Sequence, residues 1–344
     1  MPHISVTIPV YNRAHLVGRT IESILNQQFQ DFDVVIVDDA SKDDSVEVVK
    51  RYCARDARLR LEVNPQNLGL TRNWNRCLGL ATGPLVQIMQ SDDLIDADYL
   101  QRVSDVFDQY PDLGFVAATC RYIDADDRVI FANAPVESRL YRAGDEAVTA
   151  LLTGGYPHVS SIVTRRACYE EVGKFDEAIW HGPDMEMDAR LAARYGFYHF
   201  GAIHTSFRRH GSNMGNLEYS REDFLEVDRM KKRQTWGYLS PEGQRKLGVN
   251  DLDRYLAHDA AATALNGAIV TLAYGRSRLT RYYLRQAVKF DGRMWRNRRW
   301  WMAVGLALVP PLGKRVMERR MRLSSTDQVI ANVTETSLKA IGQA

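Results

Sequence analysis

The first 120 residues alternate short apolar runs with segments whose apolar residues recur every three or four positions. Short apolar runs predict buried strands, and the wider spacing predicts amphipathic helices. The strands predicted in this way are 5–10, 34–37, 59–63 and 85–89. The helices between and after them are 14–28, 46–54, 73–81 and 96–109. Strands that alternate with helices predict right-handed βαβ units and a mainly parallel sheet that is covered on both faces.

The pattern changes twice along the rest of the chain. Between residues 115 and 210 it is mixed, with strands predicted at FVAA and SIV and a helix over 184–195. Residues 221–290 carry helical spacing throughout and show few strand signals. The sequence therefore predicts an α/β domain over 1–215, followed by a helical region over 216–344.

Polar side chains follow three of the predicted strands. The first strand ends in PVYNR, the second in DDAS and the fourth in QSDD. Ligands of open α/β sheets bind outside the carboxyl ends of the parallel strands, so these residues should lie together. The set consists of Pro9, Tyr11, Arg13, Asp38, Asp39, Asp92 and Asp93. Adjacent aspartates at a strand end also commonly form a turn or cap a helix, and that alternative stays open for Asp38 and Asp39.

This set of side chains suits a nucleoside diphosphate that is bound through a metal ion. Tyr11 offers an aromatic face to a base, and Asp39 can accept hydrogen bonds from a base or a ribose. A carboxylate cannot hold an anionic diphosphate directly, but it can do so through a hard divalent cation. The pair Asp92–Asp93 is the natural place for Mg²⁺ or Mn²⁺.

Composition excludes some classes of protein. An apolar content of 45% and a charged content of 26% are typical of a globular chain. The net charge of +2 gives no support to a nucleic-acid partner. The cysteines are far apart in sequence, which argues for a reducing compartment and against a zinc site: Cys53, Cys77, Cys120 and Cys168. The N-terminus runs directly into a strand pattern, so we expect no secretory signal and a cytoplasmic location.

Five stretches resemble the family 2 glycosyltransferases of GT-A fold, in the family's order and spacing, over about residues 3–214. They are ISVTIPVYNR, SILNQQFQDFDVVIVDDASKDDS, NLGLTRNWN, ATGPLVQIMQSDD and VGKFDE. The resemblance implies inverting transfer of a sugar from a nucleotide-sugar to an acceptor hydroxyl, in bacterial surface polysaccharide or glycolipid assembly. It also divides the domain into a nucleotide-sugar half, 1–120, and an acceptor half, 121–215.

The resemblance implies roles for single residues. Pro9, Tyr11 and Asp39 would hold the base, Arg72 would reach the base or the diphosphate, and Asp92 would contact the ribose or the metal. Arg13 belongs to the same nucleotide-sugar set. Asp93 would be the principal ligand of the divalent metal.

Two later stretches complete the site. GPDMEMDARLAARYG matches the family segment that supplies the catalytic base, which nominates Asp184. FRRHGSN matches a segment whose histidine approaches the metal or the diphosphate, which nominates His210, with Arg208 or Arg209 nearby. Without that context, Asp184 could cap its helix and His210 could be an ordinary loop histidine.

Two positions depart from the family pattern. The usual DxD motif reads Gln90-Ser91-Asp92, and the usual Glu-Asp pair reads Pro183-Asp184. A catalytically impaired protein that binds nucleotide-sugars therefore stays an alternative. A sugar nucleotidyltransferase fits less well, because PVYNRAHL has no glycine before Gly18 with which to cradle a triphosphate.

The segment 293–322 holds three tryptophans and many arginines around the apolar run 300–312. That run is shorter than the ~20 residues that a membrane-spanning helix needs, and Pro310-Pro311 interrupts it. Tryptophan and arginine around a short apolar run suit a membrane interface. The segment therefore predicts either peripheral contact with the cytoplasmic face of the inner membrane, near a lipid-linked saccharide acceptor, or packing within the protein or a homodimer.

Overall fold

The computed structural model describes residues 3–132, 136–154, 157–210, 221, 223–273 and 276–308. The chain forms two compact units, Met1–His210 and Gly211–Ala344. The predicted domain boundary at residue 215 lies outside the described residues.

The first unit is an α/β structure. Its strands are β1 (Ile4–Val10), β2 (Phe32–Asp38), β3 (Leu59–Val63), β4 (Leu85–Ile88), β5 (Leu94–Ile95), β6 (Phe115–Ile123), β7 (Val129–Ala132), β8 (Arg139–Tyr141), β9 (Ile162–Arg165) and β10 (Phe197–Arg208). Its helices are α1 (Val17–Leu25), α2 (Ser45–Cys53), α3 (Leu70–Leu80), α4 (Tyr99–Gln109), α5 (Asp145–Gly154), α6 (Arg166–Val172) and α7 (Pro183–Arg194). The strands and helices predicted from the sequence are confirmed, with ends that shift by a few residues.

The core of this unit follows from the apolar patterns. All seven residues of β1 are buried, and so is the VVIV run of β2, because helices cover both faces of these strands. The buried stripe of α1, including Val17, Ile21 and Ile24, packs in the same cluster as the strand residues. Helix α1 starts later than predicted, because the backbone N–H of Arg13 donates to Ser45 Oγ and that of Ala14 to Asp43 Oδ2 in a loop.

The ten strands form one sheet, whose main path is β3-β2-β1-β4-β9-β6-β10-β5. The four strands predicted from the first 120 residues are parallel, as expected. Strand β9 then runs antiparallel between β4 and β6, and β5, β7 and β8 also pair in antiparallel fashion, so the complete sheet is mixed. Because β4 and β9 run in opposite directions, β9 starts at the end of the sheet where β4 ends. The residues that precede β9 therefore lie at the carboxyl end of β4.

The second unit is helical in the part that the structure describes. Its helices are α8 (Phe224–Gly237), α9 (Pro241–Lys246), α10 (Leu252–Ala273), α11 (Ser277–Phe290) and α12 (Arg298–Leu308). Helix α12 packs on α10 and α11, and its Ala303 is buried. Among the described residues, no helix combines the length and apolarity needed to cross a membrane.

Candidate active site

The loops after β1 and β2 are bonded to each other. The backbone N–H of Asn12 donates to Ser41 Oγ at 2.9 Å, and that of Lys42 donates to Asn12 Oδ1 at 2.7 Å. The backbone N–H of Asp39 donates to Val10 O at 2.8 Å. These bonds fix the backbone around Tyr11, whose side chain is 43% exposed at the edge of the sheet. An exposed ring on a fixed loop is free to receive a planar ligand.

The adjacent aspartates at the end of β2 have separate tasks. Asp38 Oδ1 accepts from the backbone N–H of Ser41 at 2.9 Å, which closes a turn, as the alternative interpretation expects. Asp39 accepts from Asn64 Nδ2 and from the backbone N–H groups of Leu68 and Gly69, at 2.7 to 2.9 Å. Gly69 has φ +84°, a conformation that favours glycine. Asp39 thus holds the loop before α3 against the sheet edge.

Asp92, which follows β4, is buried. One of its carboxylate oxygens contacts two basic side chains. Its Oδ2 lies 2.9 Å from His210 Nε2 and 3.2 Å from Arg13 Nε. Burial by itself raises the pKa of the Asp92 carboxyl, but the hydrogen bond with His210 and the charge of Arg13 outweigh that effect and hold the pKa below its ordinary value. Asp92 is therefore ionised at neutral pH, and the structure brings together three residues that the sequence nominated.

Asp93 is fully buried among protein donors. Ser160 Oγ donates to its Oδ2 at 2.6 Å, the backbone N–H of Arg208 donates to its Oδ1 at 3.0 Å, and His158 Nδ1 lies 3.2 Å from Oδ2. Burial and then the charge of Asp92 raise the pKa of Asp93 well above its ordinary value. Both oxygens of Asp93 are thus engaged by protein groups, which favours a structural role; its predicted role as principal metal ligand stays a prediction.

The side chains at this edge of the sheet offer ligand atoms to a metal ion that would also bind a phosphate group. No group of three His, Cys, Asp or Glu side chains able to hold a metal gathers in the described part of the chain. Asp92 and His210 still offer a carboxylate oxygen and an imidazole nitrogen close together. Mg²⁺ and Mn²⁺ commonly take one or two protein ligands and complete their shells with phosphate oxygens and water. Asp92 and His210 are therefore the residues that would hold such an ion.

The buried side chain of Arg208 connects the segment with Asp92 and Asp93 to the turn between β6 and β7. Its Nε donates to Asp92 O at 2.7 Å, and its Nη1 donates to Asp124 O at 2.9 Å and pairs with Asp127. The sequence nominated Arg208 or Arg209 for the charge of the ligand. Arg208 instead holds the backbone of the site in place.

The carboxylate of Asp184 lies in the first turn of α7, within electrostatic reach of His158. Burial lowers the pKa of His158 to about 4, against the opposing charges of Asp184 and Asp92, so His158 is neutral at pH 7. Since His158 also touches Asp93, it connects the base candidate to the paired aspartates. Gly182 occupies the N-cap position of α7, so Asp184 is the second residue of the helix and does not stand at the cap position.

The other acidic residues of α7 are less suited to proton transfer. Glu186 is buried and accepts a hydrogen bond from Arg190 Nη2 at 2.8 Å. Asp188 is also buried, and burial followed by the charges of Asp184 and Glu186 raises its pKa well above the ordinary value. Asp184 is only partly buried, so an acceptor can reach it more easily than it can reach these two.

Two nominated residues lie apart from this cluster. Pro9 is buried within β1, where it pairs with Val37 of β2, and it has no exposed face for a base. Arg72 is 62% exposed on α3, and its Nε donates to Glu177 at 2.9 Å. Their predicted contacts with a nucleotide stay predictions.

His158 and Ser160 belong to the site but were not nominated from the sequence. His158 precedes the 3-10 turn Val159–Ser161 and Ser160 lies within it, immediately before β9. Ser160 Oγ also accepts from the backbone N–H of Gln90 at 3.0 Å, which ties this turn to the end of β4. In the sequence these residues are marked only by the stretch HVSS before a predicted strand. To place them in the site, one would have to know the direction in which that strand runs.

Comparisons with known proteins agree with the geometry. A sequence model described as Glycosyl transferase family 2 matches residues 5–171. A chondroitin synthase of Escherichia coli is 29% identical over 231 residues, which span 66% of this chain and 32% of that protein. A hyaluronan synthase of Pasteurella multocida is 29% identical over 245 residues, 70% of this chain and 24% of that protein. The chain therefore matches about a quarter to a third of the length of these relatives.

A solved structure has the same fold. The crystal structure of residues 1–349 of S. aureus TarS in complex with UDP-GlcNAc superposes with a TM-score of 0.59 at 18% identity, over 94% of this chain and 92% of that one. The predicted fold class, α/β of the GT-A kind followed by a helical region, is confirmed. The family model over residues 5–171 and the sequence relatives together identify a family 2 glycosyltransferase domain in this chain.

Proposed function

We propose that this protein is an inverting glycosyltransferase. It moves a sugar from a nucleoside-diphosphate sugar to a hydroxyl group of a saccharide or a lipid-linked saccharide, in the assembly of a bacterial surface polysaccharide or glycolipid. The observation that supports this proposal is His158, which lies 3.2 Å from the carboxylate of Asp93 and is within electrostatic reach of Asp92 and Asp184. The relatives named as polysaccharide synthases support the same class of reaction.

The reaction needs one proton acceptor and one site for a leaving diphosphate. Asp184 takes the proton of the acceptor hydroxyl while that oxygen attacks the anomeric carbon from the face opposite the diphosphate. The bond from that carbon to the diphosphate oxygen breaks, the electron pair leaves with the diphosphate, and the configuration inverts. Arg13 and His210, which flank Asp92, stabilise the negative charge that the diphosphate gains.

A divalent cation on Asp92 and His210 would neutralise the diphosphate and add Lewis-acid stabilisation of its charge. The residues of the chain supply the other requirements. Tyr11 offers its ring to the base, and Asp39 orders the loop that carries Leu68 and Gly69 beside it.

A donor screen tests the proposal. We expect the full chain to bind one class of nucleoside-diphosphate sugar in calorimetry, with UDP-GlcNAc as the first donor tried, because a structure of similar fold is a complex with that compound. Affinity should rise at least about tenfold when Mn²⁺ is present, since the cation bridges two anionic groups. The free nucleoside diphosphate and the free sugar serve as controls. Equal affinity with Mn²⁺ and with excess chelator would contradict the metal-bridged binding that we propose.

We further propose that the second unit contacts membranes through its exposed tryptophans. Trp295 is 51% exposed and Trp301 is 55% exposed, and both lie among arginines of the segment 293–308. Other parts of that segment pack inside the unit: Met294 is buried, and Trp300 Nε1 donates to Leu284 O at 3.0 Å. Residues 309–322 of the predicted interface segment lie outside the described residues. The exposed indoles suit the headgroup region of a bilayer.

Replacing both exposed indoles, Trp295→Ser with Trp301→Ser, should abolish co-sedimentation with phosphatidylglycerol-containing vesicles. Wild-type binding should weaken as salt is raised toward 1 M, where the Debye length is about 3 Å. Phe131→Ser, which alters an exposed aromatic residue of the first unit, is the matched control and should bind normally. If the double variant binds vesicles like wild type but loses a dimer in gel filtration, the packing alternative is correct and the membrane proposal is wrong.

A further inference from the structure

Three aromatic residues stand side by side on neighbouring strands of the first unit. Tyr122 of β6 pairs in register with Phe207 of β10 on one side and with Phe131 of β7 on the other. The ring centroids of Tyr122 and Phe207 are 5.6 Å apart, and those of Tyr122 and Phe131 are 5.8 Å apart. The planes are inclined by 87° and 48°, so the rings form a stepped wall. We call these three residues the aromatic ladder.

The inner end of the aromatic ladder touches the candidate active site. The ring centroid of His158 is 4.3 Å from that of Phe207, and His158 Nδ1 is 3.2 Å from the buried carboxylate of Asp93. Asp184 lies within electrostatic reach of the same histidine. The ladder therefore begins beside the carboxylates and leads away from them across three strands, a distance of roughly 10 Å.

The outer end of the aromatic ladder is open to solvent. All four residues of β7 are exposed, and the ring of Phe131 is 37% exposed. The turn before β7 is anchored, because Arg19 Nη1 donates to Ala125 O at 2.8 Å and Arg208 Nη1 donates to Asp124 O. An exposed apolar strand that follows an anchored turn keeps its position, so it is suited to bind a ligand.

A cation with an unused donor lies over the aromatic ladder. The guanidinium carbon of Arg209 is 5.3 Å from the ring centroid of Tyr122 and 5.6 Å from that of Phe207. Its Nε is buried and has no hydrogen-bond partner among the described residues. Buried N–H groups almost always have an acceptor, so this N–H is suited to an oxygen that comes from water or from a ligand.

We propose that the aromatic ladder, with Arg209, binds the saccharide acceptor and leads its terminal hydroxyl toward Asp184. This inference rests on the proposed glycosyl transfer and names the surface and the class of acceptor for it. Ring faces pack against the C–H faces of pyranose rings, and the guanidinium donates to a hydroxyl or carboxylate oxygen of the sugar. The length of the ladder fits a chain of more than one sugar. A hydrocarbon chain would leave the Arg209 donor without an acceptor, which disfavours a lipid tail in this place.

Saturation-transfer NMR with three probes, cellobiose, chitobiose and a disaccharide that contains glucuronic acid, tests the ladder on the full chain. We expect at least one probe to bind wild type and to bind Phe131→Ala roughly tenfold more weakly. Phe131→Tyr keeps a flat ring and should keep binding, whereas Phe131→Leu keeps only the apolar character and should bind weakly. Ile130→Ala is the matched control, because Ile130 is a neighbouring apolar residue of the same strand, is 43% exposed and does not belong to the aromatic ladder.

Hydrolysis of the donor by water, followed in the same preparations, separates this inference from the proposed function. Phe131→Ala should hydrolyse the donor like wild type, because the change lies outside the donor site. Binding of no probe to wild type, full binding by Phe131→Leu, or equal losses in Phe131→Ala and Ile130→Ala would each overturn the ladder as the acceptor surface. A wild type that binds a disaccharide through the ladder but neither hydrolyses nor transfers a sugar would overturn the proposed function and leave the saccharide surface intact.

Discussion

Asp184→Asn should reduce sugar transfer by about 10²–10⁴-fold while leaving donor affinity nearly unchanged. The amide keeps the size and the hydrogen-bonding reach of the carboxylate but cannot take the proton of the acceptor hydroxyl. Folding should be little affected, because Asp184 is only partly buried and the loss of its charge from the first turn of α7 costs at most about 1 kcal/mol. The largest effect is therefore expected on the chemical step alone.

The measurement is single-turnover transfer with saturating donor, together with donor calorimetry and a thermal melt of each variant. Asp188→Asn is the comparison, since Asp188 lies one turn further along the same helix but is buried. It should retain transfer activity. A loss confined to Asp188→Asn would move the base to that residue, and a fall in melting temperature of Asp184→Asn would restore the structural interpretation.

The same experiment decides between an enzyme and a binding protein. Gln90 and Pro183 depart from the family pattern and are the only support for a catalytically impaired protein. Pro183 is the first residue of α7, a position at which proline is well tolerated, so the departure does not disturb the helix that carries Asp184. Donor binding by wild type without transfer or hydrolysis would establish the binding protein.

The sequence was sufficient to place the nominated aspartates, because parallel strands bring their carboxyl ends to one edge. Asp39, Asp92 and Asp93 each follow an apolar run whose burial and direction could be predicted from βαβ alternation. The separate roles of the two adjacent aspartates at a strand end could not be predicted in this way. Asp38 closes a turn on Ser41, whereas Asp39 holds the loop with Gly69, and these choices depend on loop backbone conformation.

His158 and Ser160 were beyond prediction for a different reason. Their contact with Asp93 depends on β9 inserting antiparallel between β4 and β6, a pairing of residues far apart in sequence. A three-residue stretch such as SIV, with only two apolar residues, indicates a strand but carries no information about its direction or its neighbours. The aromatic ladder has the same origin, since it exists only through the register of β10, β6 and β7.

The last prediction concerns which aspartate serves the metal. Asp92→Asn should weaken Mn²⁺-dependent donor binding by about 10–100-fold, the effect of losing a strong charge-assisted contact. Asp92 is ionised and faces His210 and Arg13, so its oxygen is available to a cation once a diphosphate has drawn Arg13 away. The amide of the Asp92→Asn variant is a poor ligand for a hard ion. The diphosphate would then lack the cation that bridges it to the protein.

Asp93→Asn is the matched control, and it tests the assignment made from the sequence. Its amide can still accept from the backbone N–H of Arg208 and can donate to Ser160 Oγ, so the buried network is kept. Burial raises the pKa of Asp93 well above its ordinary value, so burial opposes its charged form and a neutral amide of the same shape is a mild replacement. We therefore expect only a small change in donor affinity and an intact response to Mn²⁺. If Asp93→Asn abolishes that response while Asp92→Asn retains it, Asp93 is the principal ligand after all, and the bonds from Ser160 and Arg208 must rearrange when the donor binds.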